Sequence, residues 1–168
     1  MNSAFKDHFS SQATDYARFR PNYPAELFAW LAGIAPSRDT AWDCGTGSGQ
    51  AAIGLAAHFA RVFATDPSRK QLEHAEPHLR IDYRLAPAEV SLLDTASIDL
   101  VTVAQAIHWF DLDKFYAEAK RVLKPGGIIA AWTYTLLDVE AGVDTLVSDY
   151  YRNVVGPYWP PERKMVDD

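Results

Sequence analysis

The chain has little cysteine and no long apolar run. Cys44 is the single cysteine among 168 residues, so no internal disulfide can form, and no Cys/His cluster shows zinc-site spacing. Because Cys44 has apolar neighbours at the end of a predicted strand, we expect a small core residue rather than a reactive thiol. No segment reaches the roughly 20 apolar residues of a membrane-spanning helix, and the first residues lack a signal-peptide core. We therefore predict a cytoplasmic protein without a metal site.

Positive charge is also scarce, and it is dispersed along the chain. Sixteen Lys and Arg stand against 22 Asp and Glu, which gives a formal net charge of −6. Nucleic acid binding needs a concentrated basic face, so this composition argues against such a partner. With 48% hydrophobic and 23% charged residues, the chain reads as a globular protein, and a polar macromolecular partner is not indicated.

Apolar residues alternate between strand and helix patterns along the chain. Five short runs rich in β-branched and aromatic residues are predicted strands: Thr40 to Cys44, Arg61 to Thr65, Ile81 to Ala86, Ile98 to Ala104 and Gly127 to Tyr134. Between them lie segments with helical spacing, and the last of these opens with a predicted N-cap at Asp111. This alternation predicts a parallel sheet covered by helices on both faces.

We predict a single domain over residues 1–168, because neither composition nor repeats suggest a boundary. We expect residues 1–36 to form a helical cover, residues 37–135 the core, and residues 136–168 a helical segment and tail. In the cover, Phe5, Phe9 and Tyr16 share one face of a predicted helix. A second helix is predicted from Pro24, with Leu27, Leu31 and Ile34 on its buried side. We hypothesise that these two N-terminal helices form a mobile lid.

Three glycines follow the first predicted strand at alternate positions. Gly45, Gly47 and Gly49 occupy the first strand-to-helix loop, which lies at the ligand-binding end of an open α/β sheet. The spacing is G-x-G-x-G, whereas a dinucleotide fingerprint would need glycine where Gln50 stands. A phosphate-binding P-loop is excluded because no Gly-Lys-Ser/Thr follows. Asp43 precedes the first glycine by two positions, so the full motif is D-C-G-T-G-S-G.

This motif resembles the cofactor loop of class I methyltransferases that use S-adenosylmethionine. The segments "FSSQATDYARFRPNYP" and "QAIHWF" are similar to the type 11, trans-aconitate methyltransferase-like subgroup, which acts on small carboxylic acids. The resemblance implies a doubly wound, mainly parallel Rossmann-like sheet of strand order 3-2-1-4-5. It implies S-adenosyl-L-methionine as cofactor, S-adenosyl-L-homocysteine as product and a small-molecule acceptor. A nicotinamide-dependent oxidoreductase and a catalytically impaired, cofactor-binding methyltransferase remain as alternatives.

The resemblance also assigns residues around the first two strands. Asp43, Gly45, Gly47 and Gly49 would hold the methionine end of the cofactor. Asp66 ends the second predicted strand, where an acid accepts both ribose hydroxyls, and Pro67 would pack against the adenine. The alternative for Asp66 is the N-cap of the following helix.

Further assignments fall at the ends of the third and fourth strands. Pro87 stands where the family carries an adenine-binding acid, so the resemblance leaves the Ala88 N–H and Glu89 as the adenine contacts. For Glu89, an exposed surface position is an equal alternative. The Gln105 carbonyl would face the methionine amino group, and Arg20 would pair with a carboxylate of cofactor or substrate. An exposed helix-end charge is the alternative for Arg20.

His108 is the candidate catalytic residue. It follows the fourth strand, and imidazole can serve as general base for a hydroxyl or amine acceptor. A carboxylate acceptor is already ionised and would need no base, in which case His108 would be a wall of the pocket. The resemblance further implies a C-terminal antiparallel hairpin that this sequence does not show, so we expect an exposed sheet edge through which copies of the chain could associate.

Overall fold

The computed structural model describes residues 23–134, 136, 138–159 and 166. The strands are β1 (Thr40–Cys44), β2 (Arg61–Asp66), β3 (Ile81–Leu85), β4 (Ile98–Ala104) and β5 (Leu123–Trp132). The helices are α1 (Ala25–Ile34), α2 (Gln50–Ala56), α3 (Arg69–Glu73), α4 (Leu112–Val122) and α5 (Ala141–Asp149). A 3₁₀ turn, Ile107–Trp109, precedes α4, while a π-helical segment, Tyr150–Val155, and a second 3₁₀ turn, Gly156–Tyr158, follow α5.

The strands form one sheet in the order β3-β2-β1-β4-β5, which confirms the predicted topology. β1 pairs in parallel with β2 and with β4, and β2 pairs in parallel with β3. Strands β2 and β3 therefore lie on one side of β1, and β4 and β5 lie on its other side. This reversal creates a switch point at the carboxyl ends of β1 and β4, where open α/β sheets bind their ligands.

The central strands are buried because helices cover both faces of the sheet. β4 is buried along six of its seven residues, and Trp42 of β1 is fully buried. The Trp42 ring lies 6.3 Å from the ring of Phe115 on α4, measured between centroids. Phe115, Ala119 and Val122 form the buried stripe of α4 at helical spacing. Cys44 is also fully buried, and burial raises the pKa of its thiol well above the ordinary value, as expected for a core residue.

The buried face of α1 differs from the prediction. Phe28, Leu31 and Ala32 are buried, whereas Ile34 is 47% exposed. The Phe28 ring occupies the space beside Gly54 of α2 where a β-carbon would otherwise lie. This close packing rotates α1 toward Phe28, so the expectation that Ile34 faces the core is wrong.

β5 begins four residues before the predicted strand and forms one edge of the sheet. Ile129 in this strand is 39% exposed. Association of two copies through this edge stays a prediction.

The described residues fall into two compact units, which divide between Ala131 and Trp132. In the second unit, the rings of Tyr151 and Trp159 lie 5.8 Å apart between centroids. None of the helices in the described part of the chain has the length and apolar character needed to cross a bilayer. Residues 1–22, which include the first of the two proposed lid helices and Arg20, lie outside the described residues.

Candidate cofactor site

The three glycines of the first loop adopt left-handed backbone conformations, with φ of 69° at Gly45, 58° at Gly47 and 88° at Gly49. A β-carbon at Gly45 would lie 2.7 Å from Ala106 Cβ, so a side chain there is excluded by space as well as by φ. At Gly49, the N-cap of α2, the Tyr83 hydroxyl occupies the corresponding space. The glycines at both ends of the loop therefore allow protein atoms from β3 and the segment after β4 to approach the backbone.

Thr65 of β2 anchors the start of this loop. Its carbonyl accepts hydrogen bonds from the N–H of Gly45 at 2.9 Å and from the N–H of Thr46 at 3.0 Å. Its hydroxyl accepts a hydrogen bond from Trp42 Nε1 at 2.9 Å. All of these groups come from the buried strands or directly follow them, so the loop has a defined position in the absence of a ligand.

Asp66 connects the glycine loop to the start of α3. Its Oδ2 accepts a hydrogen bond from the Gly47 N–H at 2.9 Å, and its Oδ1 accepts one from the Ser68 N–H at 2.8 Å. A carboxylate offers about four acceptor positions, of which these two N–H groups take one on each oxygen. Ser68, not Asp66, is the N-cap of α3, because the Ser68 hydroxyl accepts from the N–H of Gln71. The helix-cap alternative for Asp66 is therefore wrong.

Asp43 is a buried carboxyl group beside the same loop. It is 1% exposed and accepts hydrogen bonds from the hydroxyls of Thr46 and Thr102, the latter at 2.8 Å. Burial raises the pKa of Asp43 to about 6, with a smaller contribution from the charge of Asp66, although the two hydroxyls oppose this change. The group therefore titrates within two pH units of neutrality.

The segment after β3 contributes fewer polar groups than predicted. Pro87 is exposed, while Ala88 is 5% exposed and packs into the apolar core. Glu89 Oε1 accepts a hydrogen bond from the Asp111 N–H at 2.9 Å. The Glu89 carboxylate thus ties this segment to the N-terminus of α4, a role that neither the adenine assignment nor the surface alternative includes.

Gln105 and His108 follow β4 on the other side of the glycine loop. Gln105 has a φ of 57°, which is uncommon for a residue with a side chain. Its Nε2 is buried and has no hydrogen-bond partner among the residues that the structure describes. His108 is 7% exposed, and its ring lies 4.6 Å from the ring of Trp109 between centroids. Pro67 is partly buried beside Asp66.

Sequence reasoning missed several residues that shape the site. Thr102 interrupts the apolar strand β4 and lies directly opposite Asp43 in the β1–β4 register, so the pair could have been found once strand order was assumed. Tyr83 of β3 gives no such signal, because its contact with Gly49 depends on how α2 packs. Burial raises the pKa of Tyr83 to about 12, with a further contribution from the negative charge of Asp43. In the described part of the chain, no cluster of His, Cys, Asp or Glu is arranged to hold a metal ion.

A switch point with a glycine loop after the first strand and an acid after the second defines a nucleotide-cofactor-binding α/β protein. The sequence model of a methyltransferase domain family matches residues 42–131 of this chain. The matched range contains the glycine loop, Asp66 and the segment after β4. The chain belongs to the class I S-adenosylmethionine-dependent methyltransferases.

Individual proteins that are similar to this chain are also methyltransferases by name. A protein of Dictyostelium discoideum named as a methyltransferase is 42% identical over 168 residues, which cover 98% of this chain and 64% of that protein. CRG1 of Saccharomyces cerevisiae, named for S-adenosylmethionine-dependent methyl transfer, is 30% identical over 132 residues, which cover 73% of this chain and 45% of that protein. A solved structure of a type II methyltransferase from Anaeromyxobacter dehalogenans superimposes with a TM-score of 0.80 at 51% identity, covering 88% of this chain and 63% of that one. The chain thus spans less than two thirds of the length of these relatives.

Proposed function

We propose that this chain is a cytoplasmic enzyme that binds S-adenosylmethionine at the carboxyl ends of β1, β2 and β4 and methylates a small-molecule acceptor. The observation that carries the proposal is the Asp66 carboxylate, which the N–H groups of Gly47 and Ser68 hold in a fixed orientation beside the glycine loop. A carboxylate held in this way suits the vicinal hydroxyls of a ribose. The lone buried cysteine is consistent with a reducing compartment.

The residues present fit the parts of this cofactor. Asp66 would take the ribose, Pro67 and the Ala88 N–H would border the adenine, and the glycine loop would take the methionine end together with Asp43 and the Gln105 carbonyl. The buried Nε2 of Gln105, a hydrogen-bond donor without a partner among the described residues, supports the placement of a polar ligand group here. Glu89 fits less well, since its carboxylate already accepts from Asp111.

The cofactor supplies an activated methyl group on a sulfonium. The chain's own residues therefore have to orient the acceptor and exclude water, and positioning of this kind can supply much of a rate enhancement. We favour a carboxylic acid as acceptor, because a carboxylate is ionised at neutral pH and needs no general base. If the acceptor is a hydroxyl or an amine, His108 would take its proton.

Calorimetry with S-adenosylhomocysteine and NAD tests the cofactor assignment. The wild-type chain should bind S-adenosylhomocysteine and not NAD, and Asp66→Ala should weaken binding by tenfold or more through the loss of about 1.5 to 3 kcal/mol. Asp82→Asn is the matched control, because Asp82 pairs with Arg61 and Arg84 away from the glycine loop. Binding of NAD in place of S-adenosylhomocysteine would favour the oxidoreductase alternative.

Transfer of a radiolabelled methyl group tests catalysis separately. A panel of di- and tricarboxylic acids should contain an acceptor whose methylation survives His108→Asn with little change in kcat. If only hydroxyl or amine acceptors react, and His108→Asn removes the pH dependence of their kcat, the histidine acts as base. Tight cofactor binding with no transfer to any class of acceptor would favour the catalytically impaired alternative.

A further inference from the structure

The outer side of β3 is an edge of the sheet, because β3 pairs with β2 and stands at the end of the strand order. The Val62 N–H donates to the Arg80 carbonyl at 2.7 Å, and the Ala86 N–H donates to the Asp66 carbonyl at 3.2 Å. Backbone groups alternate in direction along a strand, so residues 80, 82, 84 and 86 face β2. The backbone N–H and C=O groups of the intervening residues therefore point away from the sheet: Ile81, Tyr83 and Leu85.

Most of these outward groups have no partner in the described part of the chain. The Ile81 N–H donates to the His78 carbonyl at 3.0 Å. The Ile81 carbonyl and both backbone groups of Tyr83 and Leu85 have no backbone partner among the residues that the structure describes. An unpaired strand edge of this kind is a template for pairing with another chain.

Asp82 and Arg84 place opposite charges on one face of this edge strand. Arg84 Nη2 donates to Asp82 Oδ2 at 2.7 Å, and Arg61 Nη2 donates to the same oxygen at 2.9 Å. The side chains are within reach of a neighbouring chain, since Asp82 is 32% exposed and Arg84 is 33% exposed. Charged residues often protect an edge strand against pairing. Here they oppose any strand except one that carries the reverse order of charges.

A second copy of the chain supplies that reverse order when the two β3 strands run antiparallel. If a twofold axis passes beside Tyr83, Asp82 lies opposite the second copy's Arg84. In this register the Tyr83 backbone groups of the two copies pair, and each Leu85 N–H meets an Ile81 carbonyl. Shifting the axis by one residue would place Asp82 opposite Asp82 or Arg84 opposite Arg84, and like charges directly opposite each other are destabilising. The charges therefore favour the register that pairs the whole strand.

Exposed apolar side chains border the same edge. Leu85 is 46% exposed. Leu92 is 68% exposed, and its carbonyl accepts from Arg84 Nη1 at 3.5 Å, so Leu92 lies beside the charged pair. Leu92 has a φ of 60°, which a bulky residue seldom adopts. Pairing of two copies would remove apolar area from water together with the unpaired backbone groups.

We propose that two copies of this chain associate through β3 and join their five-stranded sheets into one continuous sheet, with the twofold axis beside Tyr83. The contact is one short strand long, so we expect a weak dimer whose population depends on protein concentration. This interface lies at the opposite edge of the sheet from β5. It does not depend on the proposed function.

Sedimentation velocity over a range of protein concentrations tests the interface with two charge reversals. Asp82→Arg and Arg84→Asp should each bring like charges together across the two strands and raise the Kd of the dimer by about tenfold or more. An equimolar mixture of the two variants should associate with about the wild-type affinity, because each pair across the strands then joins opposite charges. Recovery in the mixture cannot come from the ion pair between Asp82 and Arg84 within one chain, since both variants lack that pair.

The same substitution on each edge strand compares the two edges of the sheet. Leu85→Lys adds a charge to β3 and should weaken the dimer by about tenfold. Ile129 of β5 is 39% exposed, which is close to the 46% of Leu85. Ile129→Lys is therefore the matched control and should leave the affinity of the dimer unchanged.

Three results would overturn the inference: a wild-type chain that stays monomeric at every concentration, a mixture of the charge variants that does not associate, or a dimer that Ile129→Lys weakens and Leu85→Lys does not. If a charge variant does not fold, the two lysine variants decide. Weaker association of Leu85→Lys alone then supports pairing through β3, and any other result overturns it.

Discussion

Replacing Asp43 with asparagine should change how the stability of the cofactor-free protein depends on pH. The Asp43 carboxyl is fully enclosed between β1 and β4, and burial raises its pKa to about 6 from an ordinary value of 3.8. The folded chain therefore holds the proton more tightly than the unfolded chain. The stability that this difference contributes is complete below about pH 4 and is lost as the pH rises through about 6.

The size of this effect follows from the two pKa values. A carboxyl group that titrates near 6 when folded and near 3.8 when unfolded lowers the free energy of unfolding by about 3 kcal/mol once the pH is well above 6. The free energy of unfolding has already fallen by about 1.6 kcal/mol at about pH 5. It therefore falls by a further amount of about 1.4 kcal/mol between about pH 5 and about pH 7.5. Asparagine does not titrate, so Asp43→Asn should gain about 1.4 kcal/mol relative to wild type across this interval.

Urea unfolding at about pH 5, 6 and 7.5 measures this change. Any loss of packing or hydrogen bonding in Asp43→Asn that does not depend on pH cancels when the difference between variant and wild type is compared across pH. Asp82→Asn serves as control, because its arginine partners lower the pKa of Asp82 and its titration lies below the interval. The difference between Asp82→Asn and wild type should be the same at all three pH values.

Cofactor binding gives a second measurement on the same group. If the cofactor's cationic end requires the ionised Asp43, the apparent affinity for S-adenosylhomocysteine should be about tenfold weaker at about pH 5 than at about pH 7.5. Asp43→Asn should lose this dependence. Parallel unfolding curves for wild type and variant across pH would show that Asp43 is ionised throughout, and the assignment of a titration near pH 6 would then be wrong.

Two further predictions concern the surroundings of the site. Thr102→Val removes a hydroxyl that donates to Asp43 and should cost about 1 to 3 kcal/mol in urea unfolding at about pH 7.5 but less at about pH 5, whereas a loss independent of pH would contradict the contact. Gly54→Ala should lower stability by about 1 to 3 kcal/mol because a β-carbon meets the Phe28 ring, and Phe28→Leu should recover part of that loss if the clash is its cause.

Much of the fold could be predicted because its signals are local. The runs around Trp42 and Val101 are short, apolar and β-branched, and the segments between the strands repeat apolar residues at helical spacing. Handedness rules then leave few ways to arrange such units in one sheet. The face of α1 was mispredicted because its rotation depends on the contact between Phe28 and Gly54, two residues on different helices.

The site was predictable in outline and not in its hydrogen bonds. The glycine spacing and the position of Asp66 after β2 are visible in the sequence, since both follow from chain order. The partner of Glu89 lies 22 residues away at the start of α4, and no local pattern announces it. The N-cap role of Ser68 was not predicted, because Asp and Ser are both common caps by residue type and only the structure shows where α3 begins.

Gln105 Nε2 is a buried hydrogen-bond donor without a partner among the described residues. The glycine loop is already held by Thr65, so pairing of this atom is not what positions the loop. A buried polar atom left unpaired costs stability in the cofactor-free chain. If a bound ligand supplies the missing acceptor, Gln105→Met should stabilise the free protein and weaken the binding of S-adenosylhomocysteine, which urea unfolding and calorimetry would measure. Lower stability of Gln105→Met together with unchanged affinity would indicate a packing residue instead.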